Sequence, residues 1–311
     1  MSSGHASSHA LTQRLLRALI SLGALVGIGI VLYAATIMWA GSAETLDAVA
    51  RVTVFEFAVG TLVASSAYLV RFARWHALLL WLGNRLPAIF NLRVYLSGLA
   101  LTSSPGKLGE TVRSVLLLPR GVRLPQSLAA FFADRLSDVI GVALLGSLAG
   151  WTASHRQPVL DTLAIVILLA SLLAASVLRS ATWHSTMSRA DRRSYLGRVV
   201  VVLSMPATAW AGLWTMPRVL LCTACAFLAY GMQALVFAAY VSMMGAPLPT
   251  AQCVAIFASS TLIGAASMIP GGLGAVEASL VYQLMEAGFA MDGAVAAAFL
   301  IVLQPFGRVS C

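Results

Sequence analysis

Hydrophobic runs alternate along this chain with short segments that hold most of its arginines. A spanning helix takes about 20 residues, and residues 18–40, 52–70, 126–150, 160–178 and 219–244 supply runs of that order. Arg14 and Arg17 precede the first run and Glu44 and Asp47 follow it, so the charge rule puts the amino terminus in the cytoplasm. Glu56, near the outer end of the second run, reads as an interfacial residue. After that run come Arg71, Arg74, Trp75, Arg85 and Arg93 around a leucine-rich segment at 78–82, which predicts a helix lying on the cytoplasmic surface. Residues 199–215, with Pro206 and several nearby tryptophans, predict an interfacial segment that does not cross.

Two stretches break the pattern in the same way. One is Ser104-Pro105-Gly106-Lys107-Leu108-Gly109-Glu110, the other Ile269-Pro270-Gly271-Gly272-Leu273-Gly274-Ala275. Each follows an apolar run and leads into another, yet neither suits a helix interior, because proline removes a backbone donor and glycine favours unwinding. At membrane depth, non-helical backbone is tolerated only where protein buries it or it lines a cavity. Basic residues flank the first unit on both sides and neither end of the second carries Lys or Arg. The first therefore opens inward and the second outward, the arrangement of an inverted repeat whose half-helix ends form a transporter's site. The expected fold is all-α and polytopic, with about six spanning helices and two re-entrant broken helices.

The domain expectations follow from the same pattern. Residues 1–13 form a polar, disordered tail. Residues 14–304 form one transmembrane domain with halves near 14–178 and 199–304. Residues 305–311 form a polar tail that proline breaks, the mark of a truncated end.

Composition places the whole in the membrane. The chain is 59% hydrophobic and 10% charged, with mean hydropathy +0.89, against roughly 25% charged in soluble domains. A formal charge of +9 would suggest nucleic acid in a soluble protein. Arginines lying between apolar runs instead set topology and attract anionic lipid. Cys222 and Cys225 form C-x-x-C inside an apolar run, where they read as small helix residues; with no metal-ligand spacing among the histidines, neither a metal nor a cofactor is expected.

The candidate chemistry sits at the breaks and in one span. Lys107, the single lysine of the chain, lies inside the first break, where free amides at a half-helix start already favour an anion. With Pro105, Gly106, Gly109 and Arg113 it makes a nest for a lipid phosphate; a lysine snorkelling to the surface is the plainer alternative. Glu110 can complement the helix dipole, hold a cationic head group or pair with Arg113. Glu277 follows Pro270, Gly271, Gly272 and Gly274 in a comparable place, one turn later. Asp134 and Asp138 share a helix face and Arg135 reaches Asp138 at i+3, either as a structural ion network or along a substrate path.

The Ser104–Glu110 motif with Arg113, the Asp134-Arg135-Leu136-Ser137-Asp138 run, Pro270-Gly-Gly-Leu-Gly with Glu277, and Arg74-Trp75 with Leu78 and Leu79 together resemble the transmembrane region of lysylphosphatidylglycerol synthase. The resemblance extends from about residue 20 to about residue 300. It departs at Asp134, where the family usually has Glu, and at the last helix, which lacks the family's basic residue. It implies a flippase-like domain that moves lipids or lipid-linked precursors between leaflets of a prokaryotic inner membrane. No room remains for the soluble aminoacyl transferase of the two-domain synthases, so lysyl transfer is not implied; a phospholipid or a polyprenyl- or terpenoid-linked lipid is. The partner expected is a membrane lipid with a phosphate or charged head group and no nucleic acid. A lipid-modifying enzyme and a second copy of the chain are further candidate partners. The competing functions are a non-catalytic partner of such an enzyme, docked through the basic loop at 179–198, and a membrane-embedded lipid enzyme.

Overall fold

The computed structural model describes residues 43–100, 108–153, 158–180, 183, 195–245, 248–267 and 274–304. Among these the chain is helical throughout and has no strand. The helices are α1 (Ala43–Ala50), α2 (Val54–Trp81), α3 (Ala88–Ala100), α4 (Leu108–Leu117), α5 (Leu124–Thr152), α6 (Pro158–Arg179), α7 (Tyr195–Leu213), α8 (Met216–Met243), α9 (Thr250–Ala266), α10 (Ala275–Glu286) and α11 (Met291–Leu303), with a 3-10 turn at Leu118–Arg120. By length and composition α2, α6 and α8 can each cross a bilayer. The first predicted span and both Pro-Gly breaks (Pro105, Gly106, Lys107; Pro270, Gly271, Gly272) lie outside the described residues, as do both predicted tails.

The 29-residue helix α5 is the axis of the fold. Helices α2, α4, α6, α7, α8 and α9 all pack against it. Its sequence explains how one helix takes so many neighbours. Pro125 stands in its first turn, where a missing amide costs no bond. Further along, Ala129, Ala130, Ala133, Gly141, Ala143, Gly146, Ala149 and Gly150 keep its faces small. A Cβ on Gly141 would stand 2.6 Å from the Ala226 Cβ and 2.9 Å from the Phe227 amide nitrogen, so α5 and α8 meet backbone to backbone there. Small residues of this kind are what let helices approach closely in lipid, where no hydrophobic force drives them together.

Two apolar cores lie along the long helices. One joins Tyr68, Trp75, Leu78 and Leu79 of α2 to α3, α4, the first half of α5 and the α7–α8 corner. The other joins the second half of α5 and most of α8 to α1, α9, α10 and α11. Arginines close two helix ends between elements. Arg51 Nη1 donates to the Met244 carbonyl at 2.8 Å after α8, and Arg179 Nη1 donates to the Ala211 and Trp214 carbonyls at 3.3 and 3.4 Å at the end of α7. Each puts a cation at the negative pole of a helix.

The structure corrects one expectation outright. Residues 71–82 are no surface helix: α2 continues unbroken to Trp81, and Arg71, Arg74, Trp75, Leu78 and Leu79 are buried. The apolar run ends in sequence at Val70 because arginine follows. The helix does not end there, because those arginines find partners inside the protein. His76 is also inside α2. Glu56 is a half-buried residue in the first turn of α2; its carboxylate accepts from the Thr53 amide at 2.8 Å and caps the helix. Residues 195–213 form a packed helix in which Pro206 is accommodated, with Trp214 Nε1 donating to Ser171 Oγ of α6 at 2.9 Å.

A buried ion cluster on the central helix

The interior of α2 carries Arg71 and Arg74 one turn apart, on the face that also buries Gly60, Ala64, Ala67, Tyr68 and Leu78. Opposite them α5 presents Asp134 and Asp138, also one turn apart. The two pairs interlock. Arg74 Nε donates to Asp134 Oδ1 at 2.8 Å and its Nη2 to Asp138 Oδ1 at 2.6 Å, so one guanidinium bridges both carboxylates. Arg71 Nη2 reaches Asp138 Oδ2 at 2.9 Å. Its guanidinium also lies over the rings of Tyr68 and Tyr230, at 5.7 and 5.1 Å from their centroids, where a cation is attracted to the ring face. Arg135 closes the cluster from α5 itself, 3.0 Å from Asp134 and 3.2 Å from Asp138. The predicted Arg135–Asp138 pair is therefore present, but as the outermost part of a larger network.

Geometry of this quality is what burial demands. Taking ions out of water costs several kcal/mol each, and only close, multiply bonded partners offset it. Asp138 stands midway between Leu124 and Thr152, about 21 Å from each end of the helix. Among the described residues, three arginines face two aspartates in this cluster. Side-chain exposure is 1% for Arg71 and Arg74, 0% for Asp134 and 7% for Asp138, but 19% for Arg135. Arg135 is thus the cluster's opening. Beside it lies a cavity of about 590 Å³ between α5, α6 and α7, otherwise lined by apolar side chains such as Phe132, Leu136, Val139, Leu178 and Trp210.

The first broken unit adjoins the cluster. Arg113 of α4 is buried, with its guanidinium 4.3 Å from the Tyr95 ring centroid and 5.4 Å from that of Trp75, the residue after Arg74. Gly98 makes room for it, since a Cβ there would run into the Arg113 side chain. Trp75 Nε1 donates to Asn91 Oδ1 at 3.2 Å and so ties α3 to α2. Ser114 and Ser127 share a 2.8 Å hydrogen bond that ties α4 to α5. Gly109 and Glu110 occupy the opening turn of α4.

The second unit is built differently. Gly274, at φ +85°, precedes α10, and its amide donates to Glu277 Oε2 at 2.8 Å. The Glu277 carboxylate thus caps its own helix, as an acidic residue in a first turn should. Gln283 stitches α10 to α9: its Nε2 donates to Ser260 Oγ at 3.0 Å, and its Oε1 accepts from Ser259 Oγ at 2.7 Å. Of the residues singled out in sequence, Asp134, Arg135 and Asp138 therefore come together and Arg113 lies close by, whereas Gly274 and Glu277 belong to the other core.

Sequence reasoning missed Arg71 and Arg74 as members of the site. A signal for them was present: the small, aromatic and leucine positions at 60, 64, 67, 68, 75 and 78 trace one helical stripe, and both arginines fall on it.

Helices of spanning length, apolar outer faces and a charged interior define a multi-pass helical membrane protein. It belongs to the lysylphosphatidylglycerol synthase transmembrane region family, whose model matches residues 20–308. No curated protein and no solved structure matches the chain.

Proposed function

We propose that this protein moves a lipid with a phosphate or charged head group from one leaflet to the other, and that the ion cluster on α5 borders the path. The observation that carries this reading is the position of the cluster. A charged network midway along the central helix, open on one side through Arg135, is costly in a membrane and is a functional candidate by default. The family's membrane-domain character supports a lipid-related role. Both broken units pack on α5, α4 through Ser114 and α9 along the second half, which suits two half-helix units flanking one path. On this reading Pro105, Gly106, Lys107, Gly109, Glu110 and Arg113 border the path on the cytoplasmic side, and Pro270, Gly271, Gly272, Gly274 and Glu277 on the outer side. The two units are re-entrant and related by inverted topology, with halves near 14–178 and 199–304. The amino terminus is cytoplasmic and the membrane is the inner membrane of a prokaryote.

The test is leaflet exchange of fluorescent lipid analogues in liposomes that hold the purified protein. Wild type should speed exchange over protein-free vesicles. Lys107→Gln should slow it by roughly tenfold if the lysine bonds a phosphate, and Gly271→Leu should abolish it by blocking close backbone approach. Wild-type rates in both variants would remove the breaks from the path. Single cysteines at 185 and 247, in a background without Cys222, Cys225, Cys253 and Cys311, should label from opposite sides; labelling from one side would exclude the inverted arrangement.

A further inference from the structure

Asn91 of α3 is fully buried and holds two side chains of α2 at once. Its Oδ1 accepts from the Trp75 indole at 3.2 Å, and its Nδ2 lies 2.8 Å from His76 Nδ1. An indole N–H can only donate, so the carbonyl side of the Asn91 amide has to face Trp75. The amino side therefore faces His76, and it too can only donate. His76 Nδ1 is then the acceptor, which places the ring proton on Nε2 and makes the imidazole neutral. Trp75 thus fixes the protonation of its own neighbour through a residue of another helix.

The three side chains admit no second arrangement. A proton on His76 Nδ1 sets two donors against each other across 2.8 Å. Turning the Asn91 amide to accept that proton swings its amino group onto the Trp75 N–H. Either way one bond between α2 and α3 is lost, and a buried donor left without a partner is costly. The proton has a way in. Trp75 and Asn91 are buried, but His76 is only half-buried. It lies five residues before the end of α2, about 8 Å along the helix axis.

The surroundings are aromatic and cationic. Phe72 lies beside the His76 ring at 5.7 Å between centroids, and Tyr95 of α3 lies edge-on to Phe72 at 5.7 Å. Arg113 of α4 stands over Tyr95 and Trp75, Arg120 over Phe90 of α3, and Arg218 of α8 over Trp81. Arg85 and Arg93 are exposed. The carboxylates that α5 presents to α2, Asp134 and Asp138, are bonded to Arg71, Arg74 and Arg135. Glu110, on the opening turn of α4, is the acidic residue of the first broken unit. Among the described residues no carboxylate bonds His76.

We infer that Trp75, Asn91 and His76 form a proton-sensitive latch that holds α3, the leading helix of the first broken unit, against α2, and that one proton taken up at His76 Nδ1 releases it. Trp75 carries the change further, because the Arg113 guanidinium lies over its ring. The latch regulates the path proposed above and rests on that reading for its role, while its test measures helix spacing without transport.

Spin labels at Leu69→Cys of α2 and Ile89→Cys of α3, both exposed positions, report that spacing in full-length protein without its native cysteines. The protein is held in phosphatidylcholine nanodiscs and compared at about pH 8 and about pH 5, the range in which histidine changes charge. Wild type should show one narrow distance at the higher pH and lose it to a broader, longer distribution at the lower. His76→Gln should abolish the pH dependence, and Asn91→Leu should give the acid-like distribution at both values. Identical distributions for wild type at the two pH values would overturn the inference, and that comparison needs no variant of the latch to fold. A pH-dependent change that survives in His76→Gln, or a narrow distance kept in Asn91→Leu, would overturn it too. Nitrogen NMR of histidine-labelled protein reads the tautomer directly, with the His76 signal assigned by its loss in His76→Gln. At about pH 8 the proton should sit on Nε2, and a proton on Nδ1 would contradict the latch. Absence of leaflet exchange at every pH would instead remove the transport reading and leave the latch standing.

Discussion

The two halves of α5 solve the same packing problem by opposite means. From Leu124 to Ile140 the helix carries Asp134, Arg135 and Asp138 and is held by ion pairs to α2. From Gly141 to Gly150 it is apolar and small, and α8 and α9 lie almost against its backbone. The second half needs only shape: dispersion between closely approached helices replaces the hydrophobic effect that lipid cannot supply. The first half needs counter-charges at fixed positions, which is a more fragile arrangement with no packing advantage of its own. A helix that can pack by small residues has no structural need for three charged groups at its centre with two more facing them from α2. Their presence in one half only is what points to a task for that half.

Three substitutions probe this contrast, from the largest effect down. Arg74→Gln removes the buried side chain that reaches across from α2 to bond both aspartates. It should cost about 3–5 kcal/mol, the usual penalty for stranding a buried charge, and show as low yield and a lowered melting temperature in detergent. Asp138→Asn takes from Arg71 its carboxylate partner and leaves Arg74 and Arg135 with Asp134 alone, and should be nearly as severe. Its partial rescue distinguishes the partners. A second change of Arg71→Gln should recover more melting temperature than Arg135→Gln, because Arg71 is ion-paired to Asp138 whereas Arg135 keeps Asp134. The reverse order would place the cluster's weight on Arg135 instead. In the apolar half, Gly141→Val forces side-chain atoms into the α8 backbone at Phe227 and should cost about 1–3 kcal/mol by overpacking. A smaller loss for Arg74→Gln than for Gly141→Val would erase the distinction between the halves.

The smallest effect belongs to the periphery. Ser171→Ala removes the acceptor of the Trp214 indole and should lower stability by about 1 kcal/mol, the net worth of one neutral hydrogen bond. A larger loss would mean that the α6–α7 contact, and with it the cavity beside Arg135, depends on this single bond.

Much of the fold was legible in the hydrophobic pattern. Residues 126–150, 160–178 and 219–244 reappear as Leu124–Thr152, Pro158–Arg179 and Met216–Met243, because a long, predominantly apolar run between proline or arginine boundaries leaves a helix few alternatives. Asp134, Arg135 and Asp138 were legible as a site because their spacing puts them on one face. Arg71 and Arg74 were not. Counting arginines as topology markers assumes that they face water, and only Asp134 and Asp138, some 60 residues away in sequence, make burial tolerable. The cavity was illegible for a related reason. Nothing in Phe132, Leu178 or Trp210 alone marks a cavity, which exists only where three helices leave a gap beside Arg135.

The central claim is that the open side of the ion cluster receives lipid head groups for transport. Leaflet exchange of an anionic lipid analogue, in vesicles that hold wild type, Arg135→Lys or Arg135→Gln at equal amounts of correctly folded protein, tests it most directly. The account predicts exchange well above the protein-free rate for wild type, partial exchange for the lysine variant, and the protein-free rate for the glutamine variant. Wild-type exchange in the glutamine variant would contradict it and leave the cluster as a structural network.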